Sequence, residues 1–532
     1  MQFSSTNISY QQANSFTKLV VDYLNQKEEL NSFFKFDNNF EGIQKAIEQR
    51  NFSENTRTAL VKYFQKAYSL KASKKQLEYI KLLEKQNCFT ITTAHQPNIF
   101  TGPLYVIYKI LHTVKLANTL QNKFNNYNFV PVYFMGSEDA DLDELGNITI
   151  QNKKLIWQTK QSGAVGRMLV DNDFLQLIDE IKGQVGTTNF GKELIEIFST
   201  CYTKEKTIQQ ATFELLNILF EDYGLLVFIP DDKDLKKEFI SIITKEITTS
   251  FSHKIVEQTN IELGKHYTTQ AAGREINLFY FIDDKRERIT KRGEDFYIEN
   301  LQLTFTNAEM IVEIESYPER FSPNVILRPI FQEIILPNVA FIGGGGELAY
   351  WMQLKNVFAD SNIDYPVLVL RNSFLLMNTK QELIVKNLGL TIEDFFKNEI
   401  EIINKYVLKH TEQTLHFDNE IELLKNTFEA LKSHANKIDV TLSEHLKSIE
   451  VKTIKKIIQA EKKLLKAEKK KFKEQQLQIK KIKSQLFSSN NLQERVENFS
   501  FYFSKYGKDF FNILFESSLP IEQEFTIISL EN

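Results

Sequence analysis

Short apolar runs alternate with helical patterns through the middle of the chain. These runs are residues 88–93, 129–135, 225–229, 277–282, 325–327 and 366–370. Several of them are nearly all apolar, as is typical of parallel strands buried on both faces, and helical patterns follow at least three of them. The alternation predicts an α/β core over residues 86–375.

The segments before and inside this core show other patterns. Residues 1–85 are predicted to be helical and to pack on the core, because apolar residues between positions 58 and 83 recur about every 3.6 positions. Between about residues 151 and 317 the simple alternation breaks, and hairpin-like pieces such as 281–286 appear. We interpret this stretch as partly an insertion into the core.

A long helical region follows the core. No proline occurs between Pro366 and Pro520, and residues 379–487 are dominated by Lys, Glu, Leu, Ile and Gln, which favours long helices. Apolar residues recur every seven positions, the spacing that keeps one edge of a helix against a partner, at Val451, Ile458, Leu465, Phe472, Ile479 and Leu486. Three of the five companion positions are polar, which favours an antiparallel helical hairpin with a short dimer contact over an uninterrupted zipper.

The final segment changes to an aromatic pattern, with eight Phe and Tyr residues between positions 499 and 515. Such a segment is not expected to stay in water, so residues 488–532 are predicted to pack back on the core. We therefore divide the chain into a helical segment (1–85), a core (86–375) with its insertion, a coiled-coil domain (376–487) and this returning segment.

Composition excludes several classes of protein. The 532 residues include 43 Phe and 20 Tyr, enough apolar surface for a folded protein of several parts. Two cysteines form neither a disulfide framework nor a Cys/His metal site, so we expect a reducing compartment and no structural metal. The chain lacks a signal-peptide pattern and any run of about 18 apolar residues, which predicts a cytoplasmic protein without a membrane span.

The charge is unevenly distributed. The net charge is −4, yet residues 447–483 contain 14 Lys against 4 Glu, a local charge of +10. A coiled-coil scaffold that binds nucleic acid through this basic face is therefore one alternative to an enzyme. Only Phe472 is available there for base stacking, and a lysine-rich helix is usually a solvated face. Nucleic acid is therefore not the favoured partner.

The first candidate site lies between an apolar strand and a helix that begins at Leu104. In an open parallel sheet this places the turn at the carboxyl end of a strand, where ligands bind, and the helix start offers free backbone N–H groups to an anion. The polar candidates in the turn are His95, Gln96, Thr101 and Gly102. An ordinary strand-to-helix connection is the alternative.

Five carboxylates follow the next predicted strand, at Glu138, Asp139, Asp141, Asp143 and Glu144. Like charges so crowded are costly unless they are exposed or offset by a cation. One of the first three is a candidate to hold a substrate ammonium, to act as general base or to position magnesium. A solvated acidic turn is the alternative.

A third candidate site is the run of four glycines, 343–346, before a helix. Glycines let the backbone approach a ligand, and the helix dipole favours negative charge there. The run lacks the Walker lysine and the dinucleotide spacing, so a tight structural turn is the alternative, and Glu347 has an alternative role in compensating the dipole. Arg371 follows the last predicted strand and is suited either to grip a carboxylate or phosphate or to tie off the acidic loop, with Arg274 and Lys109 as further basic candidates.

Motifs in these segments also occur in a recognisable order. They are Gln96 with residues 100–105, residues 136–139 with Asp141, residues 274–280, Arg328-Pro329, Phe331-Gln332, Leu336-Pro337, Gly343-Gly344, Gly346-Glu347, residues 349–351, Arg371-Asn372-Ser373, residues 492–496 and residues 505–507. In order and spacing they resemble the BshC family of cysteine ligases in bacillithiol biosynthesis. The resemblance covers nearly the whole chain.

The resemblance implies a fold and a reaction. The fold is a Rossmann-like parallel-sheet core similar to nucleotidyltransferases and class I aminoacyl-tRNA synthetases, with an inserted connecting region and a coiled-coil dimerisation domain. The reaction is an amide bond between the carboxyl of cysteine and the amine of glucosaminyl-malate, the last step of bacillithiol biosynthesis. Because a carboxylate is a poor acyl donor, we expect activation by ATP with magnesium.

The motifs together with the resemblance give a set of site residues. The catalytic candidates are His95, Gln96, Glu138, Asp139, Asp141 and Arg371. The candidates for binding substrate or nucleotide are Thr101, Gly102, Arg274, Asn277, Arg328, Gln332, Gly343, Gly344, Gly345, Gly346, Glu347, Tyr350, Asn372 and Ser373. The implied partners are the two small-molecule substrates and a second copy of the chain.

Two positions depart from the family pattern. Members commonly have Gly-Gln-Gln where this chain has Ala94-His95-Gln96, and a His where Ala140 stands. Either His95 replaces that His from the neighbouring loop, or the protein acts differently. A ligase that adenylates another amino acid or carboxylate is therefore the second enzymatic hypothesis.

Overall fold

The computed structural model of the chain describes residues 2–69 and 72–531. The strands are, in chain order, β1 (Phe3–Ser9), β2 (Cys88–His95), β3 (Asn128–Met135), β4 (Asn147–Ile150), β5 (Lys153–Ile156), β6 (Leu226–Phe228), β7 (Leu278–Ile282), β8 (Lys285–Arg288), β9 (Thr290–Arg292), β10 (Asp295–Ile298), β11 (Leu303–Phe305), β12 (Phe321–Pro323), β13 (Asn338–Gly343), β14 (Val367–Leu370), β15 (Ser373–Asn378) and β16 (Glu524–Leu530).

The helices of the first part of the chain are α1 (Tyr10–Ala13), α2 (Lys18–Leu24), α3 (Phe40–Gln49), α4 (Glu54–Ala67), α5 (Lys74–Leu82), α6 (Tyr105–Lys123), α7 (Leu142–Leu145), α8 (Asn172–Val185), α9 (Asn189–Cys201), α10 (Ile208–Phe220), α11 (Lys233–Lys237), α12 (Ile240–Thr249), α13 (Phe251–Leu263), α14 (Asn307–Ser316), α15 (Arg328–Ile335) and α16 (Gly345–Asp360). The later helices are α17 (Thr379–Asn387), α18 (Glu399–His410), α19 (Asp418–Asn436), α20 (Val440–Lys469), α21 (Lys473–Leu486), α22 (Ser500–Tyr506) and α23 (Asp509–Ser517).

The chain divides into two compact units. The first comprises Met1–Leu375 and Leu492–Ile528, and the second comprises Leu376–Asn491 and Ser529–Asn532. The aromatic segment after residue 491 thus groups with the α/β part of the chain rather than with the helices that precede it.

A five-stranded parallel sheet forms the centre of the first unit, in the order β14-β13-β2-β3-β6. Strands β13 and β14 are buried along their whole length, and β2 and β3 are buried at all but one position each. Helices cover such a sheet, and residues of α3 and α6 pack in one apolar cluster with Ile91, Phe129 and Ile342 of the sheet. The predicted α/β core with a parallel sheet is confirmed.

Strand β13, at the heart of this sheet, was not among the predicted strands. Its sequence, Asn338–Gly343, begins with a polar residue and runs into the glycines, a texture that also suits a turn. It is a strand because it pairs in parallel with β14 on one side and β2 on the other, and all of its residues are buried there. The predicted strand at residues 325–327 is wrong, because Asn324 begins a turn there: its Oδ1 accepts from Ile326 N–H and its carbonyl accepts from Arg328 N–H.

The other predicted runs meet different outcomes. Residues 278–282 form β7, which pairs antiparallel with β8 and β12 instead of joining the parallel sheet. The predicted hairpin at 281–286 is present, with Ile282 opposite Lys285. The prediction that residues 1–85 are helical is wrong for β1, a polar strand placed beside β16, where Thr526 Oγ1 donates to Asn7 Oδ1 across 3.0 Å.

The second unit contains an antiparallel helical hairpin, as predicted. Helices α19 and α20 are joined at residues 437–439, and an ion pair of 2.9 Å links Lys432 to Glu450 across them. A turn at residues 470–472 separates α20 from α21. The heptad seam is divided: Ile479 and Leu486 are buried, while Val451 and Ile458 are 46% and 39% exposed. No helix within residues 2–69 and 72–531 is long and apolar enough to cross a membrane.

Candidate active site

A cavity of about 620 Å³ lies at the carboxyl edge of the parallel sheet. Loops that follow β2, β3, β13 and β14 all contribute to its wall, because the carboxyl ends of parallel strands meet at one edge. The predicted residues that line it are His95, Gln96, Glu138, Asp139, Arg274, Arg328, Gly344, Gly345, Gly346, Glu347, Tyr350 and Arg371. The structure thus brings together residues spread over 277 positions of the sequence.

The cavity wall is rich in positive charge. Five arginines and one lysine line it, against three carboxylates. Lys109 is almost completely buried; its Nζ donates to the Ala94 carbonyl across 2.9 Å and forms an ion pair with Glu347. Burial lowers the pKa of Lys109, and the carboxylate of Glu347 acts in the opposite direction. The wall is therefore suited to anionic groups such as carboxylates and phosphates.

Both terminal nitrogens of the Arg371 guanidinium donate to internal partners. Its Nη1 donates to the Asn372 carbonyl and to Ser373 Oγ, at 3.0 and 3.1 Å. Its Nη2 donates to Glu494 Oε1 at 2.7 Å, and the Glu494 side chain is wholly buried. The Nε side of the guanidinium lies beside Gly344 at the cavity. Arg371 is thus fixed from behind and open toward a ligand.

Arg328 is held in a similar way. Its Nη1 donates to Gln332 Oε1 at 3.0 Å and its Nη2 donates to the Tyr350 hydroxyl at 2.7 Å. Gln332 is buried and donates in turn to Glu333 Oε1 at 2.9 Å. Burial raises the pKa of Glu333 to about 7, with Arg50 acting against it. This buried network fixes the direction of the Arg328 fork.

The acidic loop contains carboxylates with different surroundings. Glu138 is fully engaged, since its Oε1 accepts from the buried Lys236 at 2.7 Å and its Oε2 accepts from Ser322 Oγ at 3.1 Å. Asp139 forms no close ion pair with a described residue, although Arg286 interacts with its charge; its Oδ2 accepts from Gln96 Nε2 at 3.2 Å and its Oδ1 accepts from Asp141 N–H. Asp141 is exposed outside the cavity and caps α7. Asp139 is therefore the carboxylate of this loop that is open to a cationic ligand group.

His95 lies among cations. Burial lowers the pKa of its imidazole well below the ordinary value, and Lys109, Arg371 and Arg328 lower it further, with the Asn98 side chain acting against them. The imidazole is thus neutral at pH 7, and its Nε2 lies 3.2 Å from the Tyr105 hydroxyl.

Seven other predicted residues lie behind the wall instead of lining it: Thr101, Gly102, Asn277, Gln332, Gly343, Asn372 and Ser373. Asn277 is an example of how they act, because it accepts from Arg274 N–H and donates to the Arg274 carbonyl, at 3.0 and 2.8 Å. Asn372 N–H donates to His112 Nδ1, and Gly102 has φ +66° in the turn before α6. These side chains and turns support cavity residues.

Sequence reasoning missed several cavity residues. Tyr105, Arg286, Arg495 and Phe279 line the cavity, and the Arg286 guanidinium stacks on the Phe279 ring at 3.8 Å. Three of them carried a usable signal, since Tyr105, Phe279 and Arg495 belong to motifs of the resemblance. Nothing in the hairpin sequence indicated that Arg286 faces a ligand site. Within residues 2–69 and 72–531, no group of three or more His, Cys, Asp or Glu side chains is placed to hold a metal ion.

Comparison with known proteins covers both parts of the chain. The family profile described as "Bacillithiol biosynthesis BshC, N-terminal Rossmann-like domain" matches residues 1–372. A second, "Bacillithiol biosynthesis BshC, C-terminal coiled-coil domain", matches residues 374–530.

Curated relatives match over nearly their whole length. A protein of Flavobacterium johnsoniae is 38% identical over 526 residues, covering 98% of this chain and 99% of the relative. One of Christiangramia forsetii is 36% identical, covering 98% of each chain. One of Bacillus cereus is 27% identical, covering 96% of this chain and 98% of the relative. All three are described as "Putative cysteine ligase BshC". With two profiles that span its length and relatives of this identity, the chain belongs to the BshC family of bacillithiol biosynthesis.

Proposed function

We propose that this chain is a ligase that joins the carboxyl of cysteine to the amine of glucosaminyl-malate, in the last step of bacillithiol biosynthesis. The description of its relatives as cysteine ligases supports the reaction class. The observation that carries the proposal is the cavity, which offers several cations for anionic groups and one open carboxylate, Asp139, for an amine. An acid, an activating phosphate and an amine are the parts such a ligation needs.

Two arginines and the start of one helix offer N–H groups to the anionic parts of the ligands. Arg328 and Arg371 are fixed from behind, so each offers directed N–H groups to the oxygens of a carboxylate or phosphate. The start of α16 adds backbone N–H groups at Gly345 and Gly346, next to the same part of the wall. We assign these groups to the malate carboxylates and to the nucleotide phosphates.

Activation by ATP is part of the proposal, because a free carboxylate does not acylate an amine at a useful rate. The cationic wall fits a nucleoside triphosphate, whose cleavage would supply the driving force for amide formation. With no preformed cluster of metal ligands among the described residues, we propose that magnesium enters bound to the phosphates. Asp139 then orients the amine, while Glu138 is held in the wall by the buried side chains of Lys236 and Ser322.

The proposal also includes the assembly and location of the enzyme. The exposed apolar positions Val451 and Ile458 lie on one edge of α20, which fits a contact between coiled-coil domains of two copies. The expected location is the cytoplasm, where the substrates and ATP are available and two buried thiols stay reduced.

The test is mass-spectrometric detection of bacillithiol from purified protein, cysteine, glucosaminyl-malate, ATP and magnesium, with each component omitted in turn. We expect product only from the complete mixture. A panel of amino acids in place of cysteine tests the second hypothesis, a ligase for another amino acid. Preference for an amino acid other than cysteine, or absence of product from folded protein, would overturn the proposal.

A further inference from the structure

The side chains of His95 and Tyr105 form a polar pair inside the cavity. The Tyr105 hydroxyl lies 3.2 Å from His95 Nε2, and the two rings meet edge to face with centroids 5.2 Å apart. Both side chains line the cavity. Among the described residues the hydroxyl has no second hydrogen-bond partner, so one of its lone pairs is open to a ligand.

Charged groups face this pair from several elements. The cations that lower the pKa of His95 are Lys109 of α6, Arg328 of α15 and Arg371 after β14. Glu347 of α16 is paired with Lys109, and Asp139 of the acidic loop is held by Gln96, the neighbour of His95. Arg495 and Glu144 act on the Tyr105 hydroxyl from two further segments. Burial, together with this net positive surrounding, keeps the imidazole neutral. Burial raises the pKa of Tyr105 to about 12, so the hydroxyl keeps its proton at pH 7.

We propose that Tyr105 and His95 together accept the proton that the substrate amine releases when the amide bond forms. This inference rests on the proposed function. The open lone pair of Tyr105 receives the amine N–H, while the hydroxyl proton points to Nε2 of a His95 that carries its own proton on Nδ1. The sequence motifs make His95 a catalytic candidate without this task, and they include Tyr105 without a role.

The step balances as follows. The amine nitrogen forms a bond to the carboxyl carbon of activated cysteine, and the bond from that carbon to its phosphate-bearing leaving group breaks, with the electron pair going to the leaving group. The ammonium group gives one proton to solvent before the attack. The nitrogen of the neutral amine then loses one proton to Tyr105 Oη, and the Tyr105 proton moves to His95 Nε2. The resulting imidazolium releases its proton to solvent after the product leaves.

Filling the cavity strengthens this acceptor. An anionic ligand beside Lys109, Arg328 and Arg371 offsets their positive potential, which favours the imidazolium. His95 is therefore a weak base in the empty cavity and a stronger one when phosphate and carboxylate groups are bound. The coupling ties proton acceptance to the presence of substrate.

One test follows His95 directly and needs no activity. The full chain is labelled with ¹⁵N-histidine, the His95 signals are identified by their loss in His95→Gln, and the imidazole is titrated with and without saturating pyrophosphate. We expect the Nδ1–H tautomer and a titration that moves to higher pH with pyrophosphate. The Nε2–H tautomer, an unchanged titration or failure of pyrophosphate to bind would overturn the inference.

A second test measures amide formation in a single turnover, with consumption of ATP followed separately. Tyr105→Phe and His95→Gln are each expected to slow amide formation by about 100-fold. The double variant is expected to be no slower than either single variant, because the two residues act as a unit. ATP consumption in the presence of cysteine alone should change little, since activation does not use the pair.

The matched control is Tyr350→Phe, which removes another cavity hydroxyl, one that accepts from Arg328. It is expected to raise the KM of the substrates without removing the His95 titration. Amide formation at the wild-type rate in Tyr105→Phe would overturn the inference and leave the proposed function intact. If wild-type protein forms no amide, the proposed function fails and the inference fails with it, which distinguishes this outcome from the failure of the pair alone.

Discussion

Arg371 Nη2 donates to Glu494 Oε1 across 2.7 Å, although 123 residues separate the two in the sequence. Both side chains are buried, and the same carboxylate accepts from Ser373 Oγ and from Phe374 N–H. The returning C-terminal segment thus supplies the group that fixes a cavity arginine. The position of Arg371 therefore depends on the C-terminal segment of the first unit being folded in place.

Removing this carboxylate should destabilise the protein. Glu494→Ala leaves the buried guanidinium without its counter-ion, a change that typically costs about 3–5 kcal/mol. The free energy of unfolding, measured by urea denaturation, should fall accordingly, with a smaller loss in Glu494→Gln. Glu516→Ala, at an exposed position, is the control. Equal stability of Glu494→Ala and the control would refute the role given to the pair.

Asp139 should be required for the amine substrate. Asp139→Asn keeps the shape of the side chain but loses the charge, so we expect kcat/KM for glucosaminyl-malate to fall by about 100-fold or more. Asp143→Asn, which removes an exposed carboxylate of the same loop outside the cavity, should change it less than about twofold. Equal effects of the two substitutions would mean that the loop acts only through its summed charge.

Substitution by alanine should affect stability at one of the four glycines and ATP binding at another. A Cβ on Gly343 would come within 2.9 Å of the Phe341 ring, which is buried and stacked on Trp351, so Gly343→Ala should cost about 1–3 kcal/mol of stability. A Cβ on Gly346 would meet only Gln270, at 3.9 Å, and would occupy the cavity. Gly346→Ala should therefore fold normally, within about 0.5 kcal/mol, and bind ATP more weakly. Thermal unfolding and ATP binding by calorimetry separate these outcomes; unaltered ATP affinity in Gly346→Ala would argue against phosphate at this helix start.

Stability should fall in mild acid because of His112. Its Nδ1 accepts from Asn372 N–H and its Nε2 lies 3.0 Å from the Pro520 carbonyl, and burial lowers its pKa to about 4. The unfolded chain binds a proton at this position below about pH 6.5, which the folded protein does not accept until pH is near 4. The contribution is complete above pH 6.5 and is lost as pH falls toward 4, by about 2 kcal/mol between pH 7.5 and 5.

Urea denaturation of wild-type protein and His112→Gln at both pH values checks this expectation. The variant should lack about 2 kcal/mol of the pH dependence seen in wild-type protein. Parallel pH dependence in the two proteins would show that His112 titrates normally in the folded state.

The coiled-coil domain should mediate association. Val451→Glu with Ile458→Glu places charge on two exposed apolar positions of α20 and should convert a dimer to a monomer in sedimentation velocity. Lys452→Glu changes the charge of the same helix outside this seam and is the control. A dimer that survives the double substitution would place the contact elsewhere.

Sequence patterns predicted the parts of the fold that depend on local texture. The runs at 129–135 and 366–370 are strands in which nearly every residue is apolar, and the run at 88–93 combines apolar residues with β-branched threonines, which also favour strands. The glycines precede a helix, as predicted. Strand β13 escaped notice because its glycine and asparagine resemble a turn until both neighbouring strands are known.

The candidate site was less predictable for a different reason. A sequence motif does not show whether a residue lines the cavity or supports a residue that does. Gln332 and Asn277 were predicted to contact a ligand, but they lie behind Arg328 and Arg274 and hydrogen-bond to them. Arg286 and Arg495 reach the cavity only through tertiary packing of distant segments. A contact such as that between Glu494 and Arg371 joins two distant positions, and no periodic pattern in the sequence predicts it.

The central claim is that ATP drives the joining of cysteine to glucosaminyl-malate. Cysteine labelled with ¹⁸O in its carboxyl group tests it most directly, with bacillithiol and the nucleotide products analysed by mass spectrometry. The account predicts one ¹⁸O atom transferred to AMP or to phosphate for each bacillithiol formed. Bacillithiol formed without transfer of ¹⁸O, or no bacillithiol from folded protein with all substrates present, would contradict it.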